Sequence, residues 1–222
     1  MAKAKKVAAQ HDYILLDRSG SMASRWSDAL GGVNAYVQGL AKDKETKNIL
    51  VTVAVFDSAG PFDVLRKDVV ASAWKPIGDH EVSPRGMTPL YDAVGRLVTV
   101  ADADAPEKSA IVIMTDGHEN ESREHNRESA KKLLDRCRAR GWQVIFLGAD
   151  FDNAAQGADL GNLRGQTMSV DSANFAETMS ATASMRASYG ARGVAMNYSD
   201  EDRARFGPHA PKAKAHGLSG AR

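Results

Sequence analysis

The sequence predicts a doubly wound α/β domain with a mostly parallel sheet and helices on both faces. Apolar runs at 11–17, 49–58 and 109–116 have the length and composition of strands that are buried on both sides. Stretches in which apolar residues recur every three or four positions indicate amphipathic helices. Strands that alternate with such helices are typical of a parallel sheet covered on both faces. With 222 residues and 43% hydrophobic residues, the chain is long enough to bury such a core.

The first half of the domain has the pattern of a strand, a polar loop, a helix and a hairpin. The strand at 11–17 ends in an acid and is followed by a loop that contains Ser and Gly. The helix is marked by apolar residues at spacings of three and four, which are Trp26, Leu30, Val33, Val37 and Leu40. Only two residues separate the strand at 49–58 from a run of mixed polarity at 61–70. Because that gap is too short for a parallel crossover, we expect the run to return as an antiparallel edge strand.

The second half continues the alternation of strands and helices. A loop rich in Pro and Gly leads to Thr88 and Pro89, and the proline marks the start of a helix. The elements that follow are a strand at 109–116, a charged helix at 122–140, strands at 143–150 and 167–170, and a helix at about 173–189.

The two ends of the chain are basic, whereas the part between them is acidic. Segment 1–10 carries three lysines and segment 203–222 carries five basic residues, and neither contains an acid. We therefore divide the chain into a basic N-terminal segment at 1–10, a domain at 11–197 and a flexible, basic C-terminal tail at 198–222. We interpret the basic ends as solubilising tails, and the alternative is an adaptor whose tails bind nucleic acid.

The composition indicates a cytoplasmic protein. The longest apolar runs are far shorter than the roughly 20 residues that a bilayer crossing needs, so we expect no membrane span. The first residues lack an apolar segment of secretory length, and a single cysteine cannot form an internal disulfide. That cysteine, Cys137, lies in a helical pattern, and we interpret it as a buried apolar residue rather than a nucleophile.

Oxygen-bearing side chains follow the ends of two predicted central strands. Asp17, Ser19 and Ser21 alternate after the first strand, and Asp116 ends the strand at 109–116. In an open α/β sheet, ligands bind beyond the carboxyl ends of the strands, at the point where the strand order reverses. Carboxylates and hydroxyls are the hard ligands that Mg²⁺ prefers. With the hydroxyl of Thr88 from a third loop, they predict a site for Mg²⁺ or Mn²⁺.

Three segments, DRSGSM, GMTPLYDA and MTDG, resemble in this order the metal-site segments of the von Willebrand factor A (vWA) family. The family pattern is Asp-x-Ser-x-Ser followed by a Thr and an Asp, which together form the metal-ion-dependent adhesion site (MIDAS). All five positions are filled, and the similarity covers about residues 11–190. The resemblance implies a Rossmann-like vWA fold in which hydroxyls contact the ion directly and the aspartates act largely through water. It also implies one coordination position that stays open for a partner's carboxylate.

The function that the resemblance implies is protein binding rather than catalysis. A partner protein would supply an Asp or Glu to the bound ion. Cytoplasmic vWA domains that look like this one often work beside AAA+ ATPases or in stress and metal-resistance systems, and the resemblance also allows a stand-alone protein of bacteria or their phages. An AAA+ ATPase or another complex is therefore among the implied partners. Nucleic acid is not expected as a partner, because the basic ends contain a single aromatic residue, Phe206.

Phosphoryl transfer by Asp17 is the enzymatic alternative, because a strand-end aspartate beside Mg²⁺ also suits that reaction. Haloacid-dehalogenase-type phosphatases carry a second acid two residues after their nucleophile, where this chain has Ser19. The sequence also lacks the Gly-rich phosphate loop that ends in Gly-Lys-Ser/Thr and the G-x-S-x-G nucleophile pattern. We therefore expect a binding protein.

Several polar residues near the predicted site have simpler interpretations. Asp17, Ser19 and Ser21 also suit a polar turn before a helix, and Thr88 is also a good helix cap. Asp57 ends the strand at 49–58, and we expect it to cap a turn rather than bind metal. The loop after Asp116 carries three further polar residues, His118, Glu119 and Glu121. We expect a solvated loop there, and the alternative is an acidic rim that screens partners.

Overall fold

One six-stranded sheet with helices on both faces forms the protein, as seen in a computed structural model that describes residues 10–60, 62–149 and 154–208. The strands are β1 (His11–Asp17), β2 (Leu50–Phe56), β3 (Asp63–Val70), β4 (Ala110–Thr115), β5 (Gln143–Ala149) and β6 (Thr167–Val170). The helices are α1 (Trp26–Lys42), α2 (Leu90–Asp104), α3 (Arg127–Ala139), α4 (Ala154–Asp159), α5 (Phe175–Arg192) and α6 (Asp200–Phe206).

The sheet has the strand order β3-β2-β1-β4-β5-β6. Every neighbouring pair is parallel except β2 and β3, which pair antiparallel at one edge. The predicted fold class, a doubly wound sheet with one antiparallel edge strand, is therefore confirmed. The chain first builds the sheet outward from β1 to β3 and then starts again on the other side of β1 with β4. The strand order thus reverses between β1 and β4.

The alternating side chains of β1 pack into two separate apolar layers. Ile14 and Leu16 belong to the layer beneath α1 and α5, whereas Tyr13 and Leu15 belong to the layer beneath α2 and α3. Because both faces are covered, the strand is apolar at successive positions instead of alternating with polar residues. Cys137 of α3 is buried in the second layer, which confirms its interpretation as an apolar residue.

A fully buried ion pair lies within the α1/α5 layer. The Nε of Arg186, on α5, donates to both carboxylate oxygens of Asp12, on β1, at 2.8 and 3.0 Å. The hydroxyl of Tyr36 and the backbone N–H of Ala110 donate to the same carboxylate at 2.9 and 3.0 Å. Removing one member of a buried pair of this kind costs about 3–5 kcal/mol, because the other charge is left uncompensated. The pair therefore attaches α5 firmly to the central strand.

Helix α3 begins at Arg127, five residues later than the sequence predicts. Asn126 caps the helix, and its side chain and that of Ser129 bond reciprocally to each other's backbone N–H groups. The residues before the cap are held in a loop because the carboxylate of Asp92, on α2, accepts three successive backbone N–H groups at 123–125. Contacts with another helix thus override the helical pattern of the sequence.

A short helix, α6, lies where the sequence analysis expects a flexible tail. Ser199 caps its first turn, and Phe206 at its end is only 2% exposed. Phe206 and Tyr198 both pack into the α1/α5 layer. The expectation of flexible chain is therefore wrong for residues 198–206. Tyr198 and Phe206 anchor this segment, although its average composition is polar.

Other predictions about the chain ends lie outside the described residues. The structure does not describe residues 1–9 and 209–222, so the basic end segments and the limits of the domain stay predictions. Within the part of the chain that is described, no helix is both long enough and apolar enough to cross a bilayer. The cytoplasmic location also remains a prediction.

Replacing Phe206 with alanine should lower the free energy of unfolding by about 3 kcal/mol, because the change removes a buried aromatic ring and leaves a cavity. Urea denaturation followed by circular dichroism measures this difference. The matched control is Glu201→Ala on the exposed side of the same helix, with an expected change within about 0.5 kcal/mol. Equally small effects of both variants would show that the folded unit ends before α6.

Candidate metal centre

Two acidic residues emerge together at the edge of the sheet where the strand order reverses. Asp17 is the last residue of β1, and Asp116 directly follows the last residue of β4. The two strands are parallel neighbours, and their register pairs Leu16 with Met114. Because both strands end at the same level, both acids reach the same edge. This is the position at which open α/β sheets bind ligands.

The loop after β1 places two hydroxyls, those of Ser19 and Ser21, between Asp17 and Asp116. The Oδ1 of Asp17 accepts the backbone N–H of Ser19 at 2.7 Å. The Oγ of Ser19 lies 3.0 Å from the Oγ of Ser21, and the Ser21 hydroxyl donates to Asp116 Oδ1 at 2.6 Å. The 3₁₀ turn at Gly20–Arg25 then leads directly into α1. The structure thus brings four of the five predicted site residues into one hydrogen-bonded chain.

The fifth predicted residue, Thr88, faces the same space. A Cβ built on Gly117 would lie 3.6 Å from Thr88 Oγ1 and 3.7 Å from Ser21 Oγ, so the two hydroxyls border one point. Thr88 is only 3% exposed, and its hydroxyl has no hydrogen-bond partner among the described residues. Its backbone is held by Asn120, with two hydrogen bonds of 2.9 and 3.2 Å. Pro89, not Thr88, occupies the N-cap position of α2, so the predicted capping role of Thr88 is wrong.

The loop that carries Thr88 is tied to the two neighbouring strand ends. The backbone N–H of Arg85 donates to the carbonyl of Arg18 at 2.7 Å, and that of Gly20 donates to the carbonyl of Gly86 at 3.0 Å. On the other side, the N–H of Met87 donates to the hydroxyl of Ser58 at 2.8 Å. Gly86 has a φ of 69°, a conformation that glycine adopts without strain. These bonds fix the backbone just before Thr88.

The carboxyl group of Asp17 is fully buried, and both of its oxygens accept hydrogen bonds. Its second oxygen accepts the hydroxyl of Thr115 at 2.6 Å. Burial raises the pKa of Asp17 to about 6, and the charge of Asp116 adds to that increase, while hydrogen bonds from Thr115 and Ser19 oppose it. A bound cation would offset the cost of keeping two neighbouring carboxylates charged.

The chemistry of the five donors fits a hard divalent cation. Two carboxylates and three hydroxyls converge, and the set contains no nitrogen or sulfur ligand. Mg²⁺ and Mn²⁺ prefer oxygen ligands of this kind, whereas softer transition metals favour imidazole or thiolate. One of the three hydroxyls, that of Thr88, has no hydrogen-bond partner among the described residues and is free to take part.

Three residues that shape the site were not identified from the sequence. Thr115 orients Asp17, Asn120 holds the backbone beside the site, and the guanidinium of Arg25 forms an ion pair with Asp116 Oδ2. The position of Thr115 directly before Asp116 is a signal that could have found it. Arg25 lies four residues after Ser21, a spacing that places the two side chains near each other in a helical turn.

Asp57 caps a turn, as the sequence predicts. Its Oδ1 accepts the backbone N–H groups of Ala59 and Gly60 at 2.6 and 2.9 Å. The other oxygen pairs with Arg18, which is buried and also pairs with Asp63. Asp57 is therefore used in connecting β2 to the edge strand.

The expectation of a solvated loop after Asp116 is wrong for Glu119. One of its carboxylate oxygens accepts the backbone N–H groups of Glu121 and Ser122 at 2.9 and 2.7 Å. The other accepts the N–H of Tyr91, on α2, at 2.9 Å. The carboxylate therefore joins the loop to α2, which also removes it from the proposed acidic rim. A Gln at this position would disturb the loop rather than merely remove a repulsive charge.

The sequence matches no protein-family model and no curated protein. Solved structures do match. A von Willebrand factor type A protein from Catenulispora acidiphila is 15% identical, with a TM-score of 0.59, and the match covers 80% of this chain and 42% of that one. The vWF domain of the type V pili tip protein Mfa5 from Porphyromonas gingivalis is 11% identical, with a TM-score of 0.63 and coverages of 87% and 99%.

A third match is the manganese-loaded TRAP protein of Plasmodium vivax. It is 17% identical, with a TM-score of 0.55, and the match covers 75% of this chain and 70% of that protein. Identities this low establish a shared fold and nothing more specific. The strand order and the helices on both faces agree with that result. The chain therefore has the fold of von Willebrand factor A domains.

Proposed function

We propose that this chain is a metal-dependent protein-binding module. In this proposal Mg²⁺ or Mn²⁺ is held by the side chains of Asp17, Ser19, Ser21, Thr88 and Asp116, and an acidic residue of a partner protein completes the site. The observation that supports it is the meeting of five oxygen donors from three loops at one edge of the sheet. The manganese-loaded TRAP protein, which shares the fold, adds support for a divalent ion.

The residues around such a site would have different roles. Asp17 orients the loop from beneath, since it is buried and accepts the N–H of Ser19. Asp116 accepts the hydroxyl of Ser21, which is an exposed residue. The bound ion would supply positive charge that attracts a carboxylate. Because hydroxyl ligands are neutral, they leave most of that charge uncancelled for the partner.

The surroundings of Asp17 argue against the phosphoryl-transfer alternative. A nucleophilic carboxylate must reach the phosphorus of its substrate. Both oxygens of Asp17 already accept hydrogen bonds, and the side chain is fully buried. Ser19 stands where a second acid would be needed. This arrangement suits orientation of a loop better than attack on a substrate.

The identity of the partner follows from chemistry only as far as its class. A protein with an accessible Asp or Glu fits the proposed site. From the resemblance to cytoplasmic vWA domains, we further propose an AAA+ ATPase or another assembly in a bacterial or phage-infected cell as the setting. Membrane and nucleic acid are not part of this proposal.

Wild-type protein should bind Mg²⁺ and Mn²⁺ in a calorimetric titration, and Asp116→Asn should weaken binding at least about ten-fold. The substitution keeps the size of the side chain but removes a carboxylate from the ligand set. Ser19→Ala should show a loss in the same direction.

The control for charge is Asp28→Asn, which removes one exposed carboxylate elsewhere and should leave the affinity unchanged. Circular dichroism checks that each variant is folded. Equal affinities of wild type and Asp116→Asn would contradict the metal site.

Replacing Arg25 with glutamine should raise the affinity for Mg²⁺. The guanidinium pairs with Asp116 and repels a cation at the same carboxylate, an effect worth about 1 kcal/mol near a protein surface, or about five-fold in affinity. The same titration measures it, with Arg192→Gln at the far end of α5 as the control. A lower affinity in Arg25→Gln would show that the arginine supports the geometry of the site instead.

Capture of a partner should require both the ion and Asp116. Immobilised wild-type protein should retain a host protein from extract in Mg²⁺ and release it in EDTA, and Asp116→Asn should retain little in either buffer. Retention that is the same in EDTA would contradict capture through the metal. Turnover of a phosphate ester by the wild type, lost in Asp17→Asn, would instead identify an enzyme.

A further inference from the structure

A second group of side chains that can bind a metal lies at the opposite end of β1, where the strand begins. His11 begins β1, Asp68 lies in the edge strand β3, and Asp104 ends α2. One ligand atom from each of the three lies within 4.8 Å of the others. A cavity of about 550 Å³ opens onto all three side chains. None of these residues takes part in the site proposed above.

The hydrogen bonds of Thr52 are compatible with the tautomer of His11 in which Nδ1 can bind a metal. The Thr52 hydroxyl donates to Asp68 Oδ1 at 3.4 Å and accepts the backbone N–H of Asp68 at 3.2 Å. Its distance to His11 Nε2 is 2.9 Å. In the tautomer of His11 that carries its proton on Nε2, the oxygen of Thr52 accepts from Nε2 and the Thr52 hydroxyl proton goes to Asp68. The lone pair of the ring is then on Nδ1.

In that tautomer, the lone pair of His11 faces the carboxylate of Asp104. Nδ1 lies 3.6 Å from Asp104 Oδ2, which is too long for a hydrogen bond, and Nδ1 has no hydrogen-bond partner among the described residues. The Asp104 oxygen already accepts the hydroxyl of Tyr13 at 2.9 Å. The His11 side chain is only 5% exposed, and burial lowers its pKa. Two electron-rich atoms thus face each other across a gap.

The width of that gap suits a metal ion. Two ligands that each lie about 2.1 Å from a tetrahedral Zn²⁺ are about 3.4 Å apart, close to the separation of His11 Nδ1 and Asp104 Oδ2. Metal-binding histidines donate their other ring N–H to a fixed acceptor, and Thr52, at 2.9 Å from Nε2, is placed to accept it here. Tyr13 orients the carboxylate of Asp104 in the same way.

We propose that His11, Asp68 and Asp104 form a second divalent-metal site that binds Zn²⁺, with the remaining coordination open to the cavity. A nitrogen ligand with two carboxylates favours Zn²⁺ over Mg²⁺, in contrast to the all-oxygen set at the other edge. The bound ion joins β1, α2 and the edge strand β3. The pairing of β3 with β2 is irregular, with register shifts near Val53, so the ion stabilises the least regular part of the sheet. This proposal is independent of the proposed function.

The decisive variant is Asp68→Asn. The Asp68 side chain is 47% exposed, and its φ of 53° is a conformation that asparagine tolerates well, so the fold should be kept while a ligand charge is lost. In a titration of the untagged full chain with Zn²⁺, in excess Mg²⁺, we expect one ion on the wild type and at least ten-fold weaker binding by Asp68→Asn. Zn²⁺ should also raise the unfolding temperature of the wild type, but not that of Asp68→Asn.

The other arms of the experiment separate the two sites. Asp116→Asn should bind Zn²⁺ as the wild type does, and Asp28→Asn controls for the loss of one negative charge. His11→Gln should bind as weakly as Asp68→Asn, and Asp104→Asn replaces it if the glutamine variant does not fold. Unchanged Zn²⁺ affinity in Asp68→Asn, or loss of Zn²⁺ binding in Asp116→Asn alone, would overturn the proposal.

Discussion

The parallel pairing of β1 with β4 is the constraint on which the rest of the site depends. These strands are separated by more than ninety residues of chain, yet their backbone hydrogen bonds place Asp17 and Asp116 at one edge of the sheet. The loops that add hydroxyls are then held against that edge by backbone bonds of their own, such as the one between Gly20 and Gly86. The sheet therefore determines where the donors meet, and the loops determine how closely they approach. A rigid edge that carries short, tied loops is a common basis for binding sites.

The fold could be predicted because its signals are local and strong. Buried strands give apolar runs, and the short gap before β3, two residues between the predicted runs and six in the structure, excludes a parallel crossover. The candidate site could be named from the sequence because three motifs occur in a fixed order, two of them at the ends of β1 and β4. Arg25 and Asn120 could not, because each acts through a contact with a residue far away in sequence. The later start of α3 has the same cause, since the carboxylate of Asp92 captures backbone groups that the helical pattern assigns to the helix.

Helix α6 and the group of His11, Asp68 and Asp104 could not be predicted from the sequence either, for different physical reasons. Helix α6 depends on single aromatic anchors, and the average over a polar segment conceals them. His11, Asp68 and Asp104 come from a strand start, an irregular edge strand and a helix end. Residues so placed have no characteristic spacing, and only the folded chain brings them together. β1 contributes to both edges, since His11 and Asp17 are separated by six residue steps, or about 20 Å of extended strand. The two proposed sites are therefore far enough apart for independent occupancy.

The ion pair between Asp12 and Arg186 has a consequence for how the domain can respond to a ligand. Axial sliding of α5 against the sheet would strand a guanidinium in an apolar interior, at a cost of several kcal/mol. Rotation of the helix is opposed in the same way, because the partner carboxylate is held by two other donors. Helix α5 is therefore fixed against the sheet and resists both sliding and rotation. A rearrangement at the Asp17 end of β1 would meet less resistance in the loops and in α1, which continues directly from the Ser19–Ser21 segment.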